Sequence, residues 1–138
     1  MAQNKDKVVI FEQFAKKAKE RLEERKKLHK EELVIGSMGG MTMEIRGVSD
    51  TELNEVFEFS EDAIEIDRYL IYYASSTLQE AARIMVQQGA LHAGQEYKIT
   101  EMFSATERSF IANRILVLSG ARGDADIRIR EQEEIKNS

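Results

Sequence analysis

From Val8 onward the apolar residues are spaced as on a helix. Phe11, Ala15, Ala18 and Leu22 fall at i, i+4, i+7 and i+11, a narrow stripe of the kind that docks on one neighbour. Arg25 and His29 take the next two positions, so the stripe stops. No Gly or Pro interrupts the segment, which predicts one long helix over residues 8–33. Its second half has almost no apolar face, so residues 23–32 are expected to project into solvent or to await a partner.

After Leu33 the period shortens. The stretch LVIGSMGGMTMEIRGV, residues 33–48, holds four of the chain's eight glycines. Leu33, Val34 and Ile35 before them, and Met41, Met43 and Ile45 after them, alternate or cluster as short strands do. A small β-hairpin is the expected structure.

Helical spacing then returns. Ser49-Asp50-Thr51-Glu52 is a capping box, followed by Leu53, Val56 and Phe57 on one side of a short helix. A second helix is predicted from Glu61-Asp62, carrying Ile66, Tyr69, Leu70 and Tyr73. The cluster Tyr69–Tyr73 marks it as a buried central helix. Ser76-Thr77-Leu78-Gln79 offers another cap, and Leu78, Ala81, Ala82, Met85 and Val86 continue a stripe to Gly89, which suits the left-handed position past a helix end. Residues 89–96 read as a loop and residues 97–103 as a turn or two of helix. Ser104-Ala105-Thr106-Glu107 is a further capping box, opening what reads as the most amphipathic helix, with Phe110, Ile111, Ile115, Leu116 and Leu118 on its apolar face. Gly120 closes it.

The expected fold is therefore mostly α: a compact helical domain over residues 8–120 with a long N-terminal helix and a short β-hairpin or extended segment near residues 33–48. Residues 1–7 are expected to be a flexible N-terminus and residues 121–138 a polar, flexible tail. A length of 138 residues fits one domain with one core. The absence of Pro and the abundance of Glu, Lys, Arg and Ala agree with helix.

Charge is unevenly spread. Residues 1–32 hold 10 Lys and Arg against 7 Asp and Glu, and the rest of the chain 10 against 18. The basic helix carries Lys16, Lys17, Lys19, Arg21, Arg25, Lys26, Lys27 and Lys30, but Glu20, Glu23, Glu24, Glu31 and Glu32 are interleaved at ion-pairing distance, which describes a self-satisfied helix better than a phosphate clamp. A nucleic-acid-binding regulator using this helix is the alternative reading. No apolar run approaches the about 20 residues of a membrane span, and MAQNKDK lacks the apolar region of a signal peptide, so a cytoplasmic protein is expected.

Catalytic signals are missing. The chain has no Cys, its two histidines, His29 and His92, lie far apart, and no Ser sits in a nucleophile elbow. Gly36-Ser37-Met38-Gly39-Gly40 lacks the Lys-Ser/Thr pair of a phosphate loop. Arg122-Gly123-Asp124 looks like an adhesion triplet, but Gly and Asp after a helix end are ordinary turn chemistry. We therefore assign no catalytic, cofactor-binding or metal-binding residues and expect a non-enzymatic protein. The candidate protein-interaction residues are Phe11, Phe14, Ala18 and Leu22 on the helix, with Met38, Met41 and Met43, whose flexible side chains adapt to varied apolar partners.

Taken in order, VVIFEQFAKKAK, LVIGSMGG, the box SDTE, the helix DRYLIYYASSTLQE, and FSATERSFIANRILVLSG leading to a charged tail ending EEIKN resemble the XkdN-like tail assembly chaperones of Gram-positive phages and defective prophages with contractile tails. The resemblance runs over roughly residues 8–137. The loop over residues 87–95 departs from the family pattern in lacking a Pro, as does Gly39-Gly40, which replaces a more strand-like continuation. The resemblance implies a small helical protein, acting as a homo-oligomer in the host cytoplasm and left out of the mature virion, that binds the tape measure protein before the tail tube polymerises around it. It further implies a longer form made by programmed frameshifting, whose extension recruits tail tube protein. Lys136-Asn137, after Ile135, admits a slippery codon run where such a shift would occur.

Overall fold

The computed structural model describes residues 2–131, with side chains from Asp6 onward. In chain order it contains helix α1 (Ala2–Lys26), strands β1 (Lys30–Ile35) and β2 (Met41–Arg46), and helices α2 (Asp50–Phe57), α3 (Ala63–Tyr73) and α4 (Ser76–Gln87). A 3-10 segment (Glu96–Met102) and helix α5 (Ala105–Leu118) complete it. The fold is mostly α with one antiparallel hairpin. No helix of the described residues is long and apolar enough to cross a membrane.

Two boundaries of the first helix differ from expectation. It takes in residues 2–7, expected to be a flexible N-terminus, because AQNKDK contains no breaker and a helix once nucleated propagates cheaply. It also stops at Lys26 instead of Leu33. Lys30, Glu31 and Glu32 favour helix locally, but they pair with Arg46, Ile45 and Glu44, and the ladder to β2 overrides propensity.

The hairpin turns through a 3-10 segment at Gly36–Met38, then Gly39 and Gly40 at φ 66° and 81°, the left-handed region that glycine enters without strain. Its two strands join Leu33 to Met43 and Ile35 to Met41 across the ladder. The inner face packs on the helices, where Met43 and Ile45 enter a core shared with Val56, Leu70, Ile71 and Ile115. Helix α3 is central, touching α2, α4, α5 and the 3-10 segment.

The caps are made locally. Ser49 and Ser104 form complete capping boxes with Glu52 and Glu107. Helix α4 is capped by Ser75, one residue before the expected Ser76, its buried side chain accepting the Leu78 N–H. Past α4 and α5, Gly89 and Gly120 stand at φ 76° and 73°, as the sequence predicts.

Two aromatic residues read on the apolar sides of helices lie outside the core. Phe57 is exposed, and so is Phe110, because α5 buries the side carrying Ile111, Ala112, Ile115 and Leu116. The short hairpin does not cover the neighbouring side. With Phe110 and Val117 opposite the buried side, the apolar residues of α5 are spread around it, and it is not the most amphipathic helix. That place belongs to α4. Residues 121–131 form neither helix nor strand, and Ile135, Lys136 and Asn137, which admit the slippery codon run, lie outside the described residues.

Candidate partner-binding surfaces

Helix α1 leaves the folded body as an arm. Between Asp6 and Lys26 every side chain is exposed except the half-buried Ala18. Phe11, Phe14 and Leu22 are among the exposed ones, Phe14 at 75%. On a helix they share one side with Ala18, so the four predicted residues stand together as an uncovered apolar face. Val8 extends the same face by one turn and is also exposed, a residue the sequence signalled by standing three before Phe11. The arm is anchored at its last turn. There Arg25 donates to the Ser119 carbonyl at 3.0 Å and lies 3.8 Å from Asp50.

The three methionines separate. Met38 and Met41 are exposed at the hairpin tip, as an interaction surface requires. Met43 is 1% exposed and packs in the core, so it leaves the candidate set. The reason is the two-residue period of a strand: Met43 and Ile45 point inward, and only the tip residue Met41 runs past the helices beneath.

A third surface was not foreseen. Between β1 and the first half of α5 lies an apolar cleft of about 450 Å³, lined chiefly by Leu33, Ile35, Phe103, Phe110 and Ile111. Phe110 is 64% exposed there. Its signal in the sequence was hidden, because a Phe at helical spacing reads as core.

Neither a family model, nor a curated protein, nor a solved structure matches the chain.

An ion pair fastens one end of the cleft and a hydrogen bond the other. Arg114 on α5 holds both oxygens of Glu31 on β1 at 2.7 Å, and its hydrogen bonds lower the Glu31 pKa. At the other end Ser37 donates to Glu107 at 2.5 Å, and that bond, with the Ser104 backbone N–H, lowers the Glu107 pKa. Elsewhere Arg46 holds Glu52 through two hydrogen bonds while standing over the Tyr73 ring. That pairing brings the Glu52 carboxyl from 4.5 to about 2.

Half of the basic residues named on α1 and its flank have an acidic partner, Arg25 with Asp50 among them. Lys17 lies 3.7 Å from Glu20, Lys27 3.3 Å from Glu24, and Lys30 3.5 Å from Glu44. His29 stands 3.7 Å from Glu24, and His92 is exposed in the loop after α4. Among the described residues no three metal-ligating side chains stand together.

Proposed function

We propose that this chain is a phage tail assembly chaperone that binds the tape measure protein by non-catalytic, helix-mediated contact and helps recruit tail tube subunits. The reading rests on the family resemblance. The observation that carries it is the uncovered face of Phe11, Phe14, Ala18 and Leu22 on an arm that leaves the folded body. A monomer gains nothing by holding such a face in water, whereas a long helical client with an apolar seam would cover it side by side. Exposed Met38 and Met41 supply a second adaptable contact. The work is done in the host cytoplasm by a homo-oligomer, and a frameshifted longer form would carry the tube-recruiting extension beyond the C-terminal tail. The glutamates interleaved among the basic residues, with Lys17 paired to Glu20 and Lys27 to Glu24, weigh against a nucleic-acid clamp.

The test is an affinity capture of the tagged protein from cells expressing a phage or induced prophage tail cluster, with bound proteins identified by mass spectrometry. Recovery of a long helical tape measure protein, lost on Phe11→Ser/Phe14→Ser, is the expected result. Recovery of nucleic acid with steep salt dependence, or of no tail protein, overturns the reading.

A further inference from the structure

The hairpin has one closed edge and one open edge. On β2 the outward N–H groups are taken by the body, since Glu44 donates to Thr77 Oγ1 at 3.0 Å and Arg46 to the Ala74 carbonyl at 3.0 Å. On β1 the alternation runs the other way. The His29 carbonyl accepts from Gly47 on the β2 side, so His29, Glu31, Leu33 and Ile35 face β2 while the backbone groups of Lys30, Glu32 and Val34 point outward. Among the described residues no further strand pairs with them. An open edge of this kind is a template for another strand, and it lies along the apolar cleft floored by Leu33, Ile35, Phe110 and Ile111.

The C-terminal segment has the matching pattern. Asp126-Ile127-Arg128-Ile129-Arg130 alternates charged and β-branched residues, the signature of a strand with one apolar side. It has no regular structure here, and its two isoleucines are the most exposed large apolar side chains among the described residues, at 83% and 94%.

We propose that the cleft between β1 and α5 receives residues 126–130 of a second copy of this chain, which add to β1 as an antiparallel third strand. In the register that sets Ile129 beside Leu33 and Ile127 beside Ile35, both isoleucines enter the cleft against Phe110. Arg130 then stands beside Glu32, and the stem of Arg128 lies along the exposed Val34. Apolar alternation and charge agree on the same register.

In this antiparallel register, the one in which Arg130 meets Glu32, the donor is another copy because the chain's own tail does not reach. The C-terminal end of α5 lies at the Lys30 end of β1, where the Val48 N–H donates to Ser119 Oγ, and Glu107 near its start lies at the Gly36 end, bonded to Ser37. Ala121 is held on α5 by its N–H to the Leu116 carbonyl. Antiparallel pairing needs Asp126 at the far end, so residues 121–125 would have to run the length of β1, about 20 Å, and then turn, on about 17 Å of fully extended chain. A contact that joins the tail of one copy to the cleft of the next is head-to-tail, and it extends into chains or rings of copies.

The experiment uses the purified 138-residue chain alone, followed by sedimentation over a wide concentration range. The expected result is concentration-dependent association that Ile127→Ser/Ile129→Ser weakens about tenfold or more and that Phe11→Ser/Phe14→Ser leaves unchanged. Because the chain has no Cys, mixing Leu33→Cys with Ile129→Cys protein under oxidation should give a heterodisulfide. A monomer at every concentration, association indifferent to the tail substitutions, or association lost with the α1 substitutions overturns the proposal. No phage component enters the measurement, so its failure would leave the tape-measure contact of α1 untouched, while a monomer at every concentration would also remove the homo-oligomer from that reading.

Discussion

Gly47 stands against the last turn of α5, so close that a Cβ placed on it would lie 2.7 Å from the Leu118 carbonyl oxygen. This is where the hairpin is welded to the helices. The Gly47 N–H donates to the His29 carbonyl at 2.8 Å, and the next N–H, of Val48, donates to the buried Ser119 Oγ at 2.8 Å.

Gly47→Ala is therefore expected to destabilise the protein by about 1–3 kcal/mol, since the obstructing atoms are backbone and cannot swing aside. Gly36→Ala is the control. A Cβ there meets nothing within 4 Å, and a change within about 0.5 kcal/mol is expected. Urea denaturation of both variants measures the difference, and equal stabilities would mean that the hairpin does not approach α5 in this way.

Met43 and Met41 sit two residues apart on the same strand face with opposite consequences. Met43→Ala opens a cavity among Ile45, Leu70 and Ile115 and should cost about 2–4 kcal/mol. Met41→Ala removes an exposed side chain at the hairpin tip and should change stability by less than about 0.5 kcal/mol. Thermal denaturation of the pair decides it.

What could be read ahead of the structure was what depends on nearby residues. Ser49 with Glu52, and Ser104 with Glu107, announce helix starts because both halves of each capping box lie within four residues. Gly89 and Gly120 announce helix ends for a similar reason. Lys30–Glu32 misled because their strand character exists only against Arg46, Ile45 and Glu44, which local propensity does not see. Met43 and Phe110 misled in opposite directions. Alternation showed that Met41, Met43 and Ile45 share a side but not how far the helices extend beneath it, and helical spacing placed Phe110 on an apolar face without showing that the hairpin leaves that side open. The α1 stripe was legible because its spacing is local to one helix, and Phe11, Phe14 and Leu22 stay exposed.

Acid should loosen the attachment of the hairpin to α2. Glu52 is held at about 2 against 4.5, chiefly by the Arg46 hydrogen bonds. A carboxyl with a depressed folded pKa stabilises the protein fully above its unfolded value, and that contribution is lost as pH falls from about 4.5 toward about 2. Glu31 and Glu107 are lowered too and act in the same direction. Asp67, raised by burial, acts oppositely, favouring the fold at low pH and losing that contribution as pH rises. Glu52→Gln should lower stability near neutral pH by about 1–2 kcal/mol and flatten the acid limb of a stability–pH curve. A limb as steep as that of the parent protein would refute the assignment.

The arm offers the sharpest separation of stability from binding. No described side chain from Asp6 to Leu22 is fully buried, and the attachment to the body runs through Arg25, whose guanidinium reaches the Ser119 carbonyl. Deleting residues 2–22 should therefore change the stability of the remaining domain by less than about 1 kcal/mol, because none of the described side chains it removes belongs to the core. Arg25→Ala, which releases the carbonyl at the end of α5, is expected to cost a comparable amount despite being a single substitution. Capture of an apolar helical client should vanish with the deletion and survive Arg25→Ala. Parallel denaturation and binding measurements on the two variants check this, and a truncated domain that melts far below the parent would show that α1 is part of the core after all.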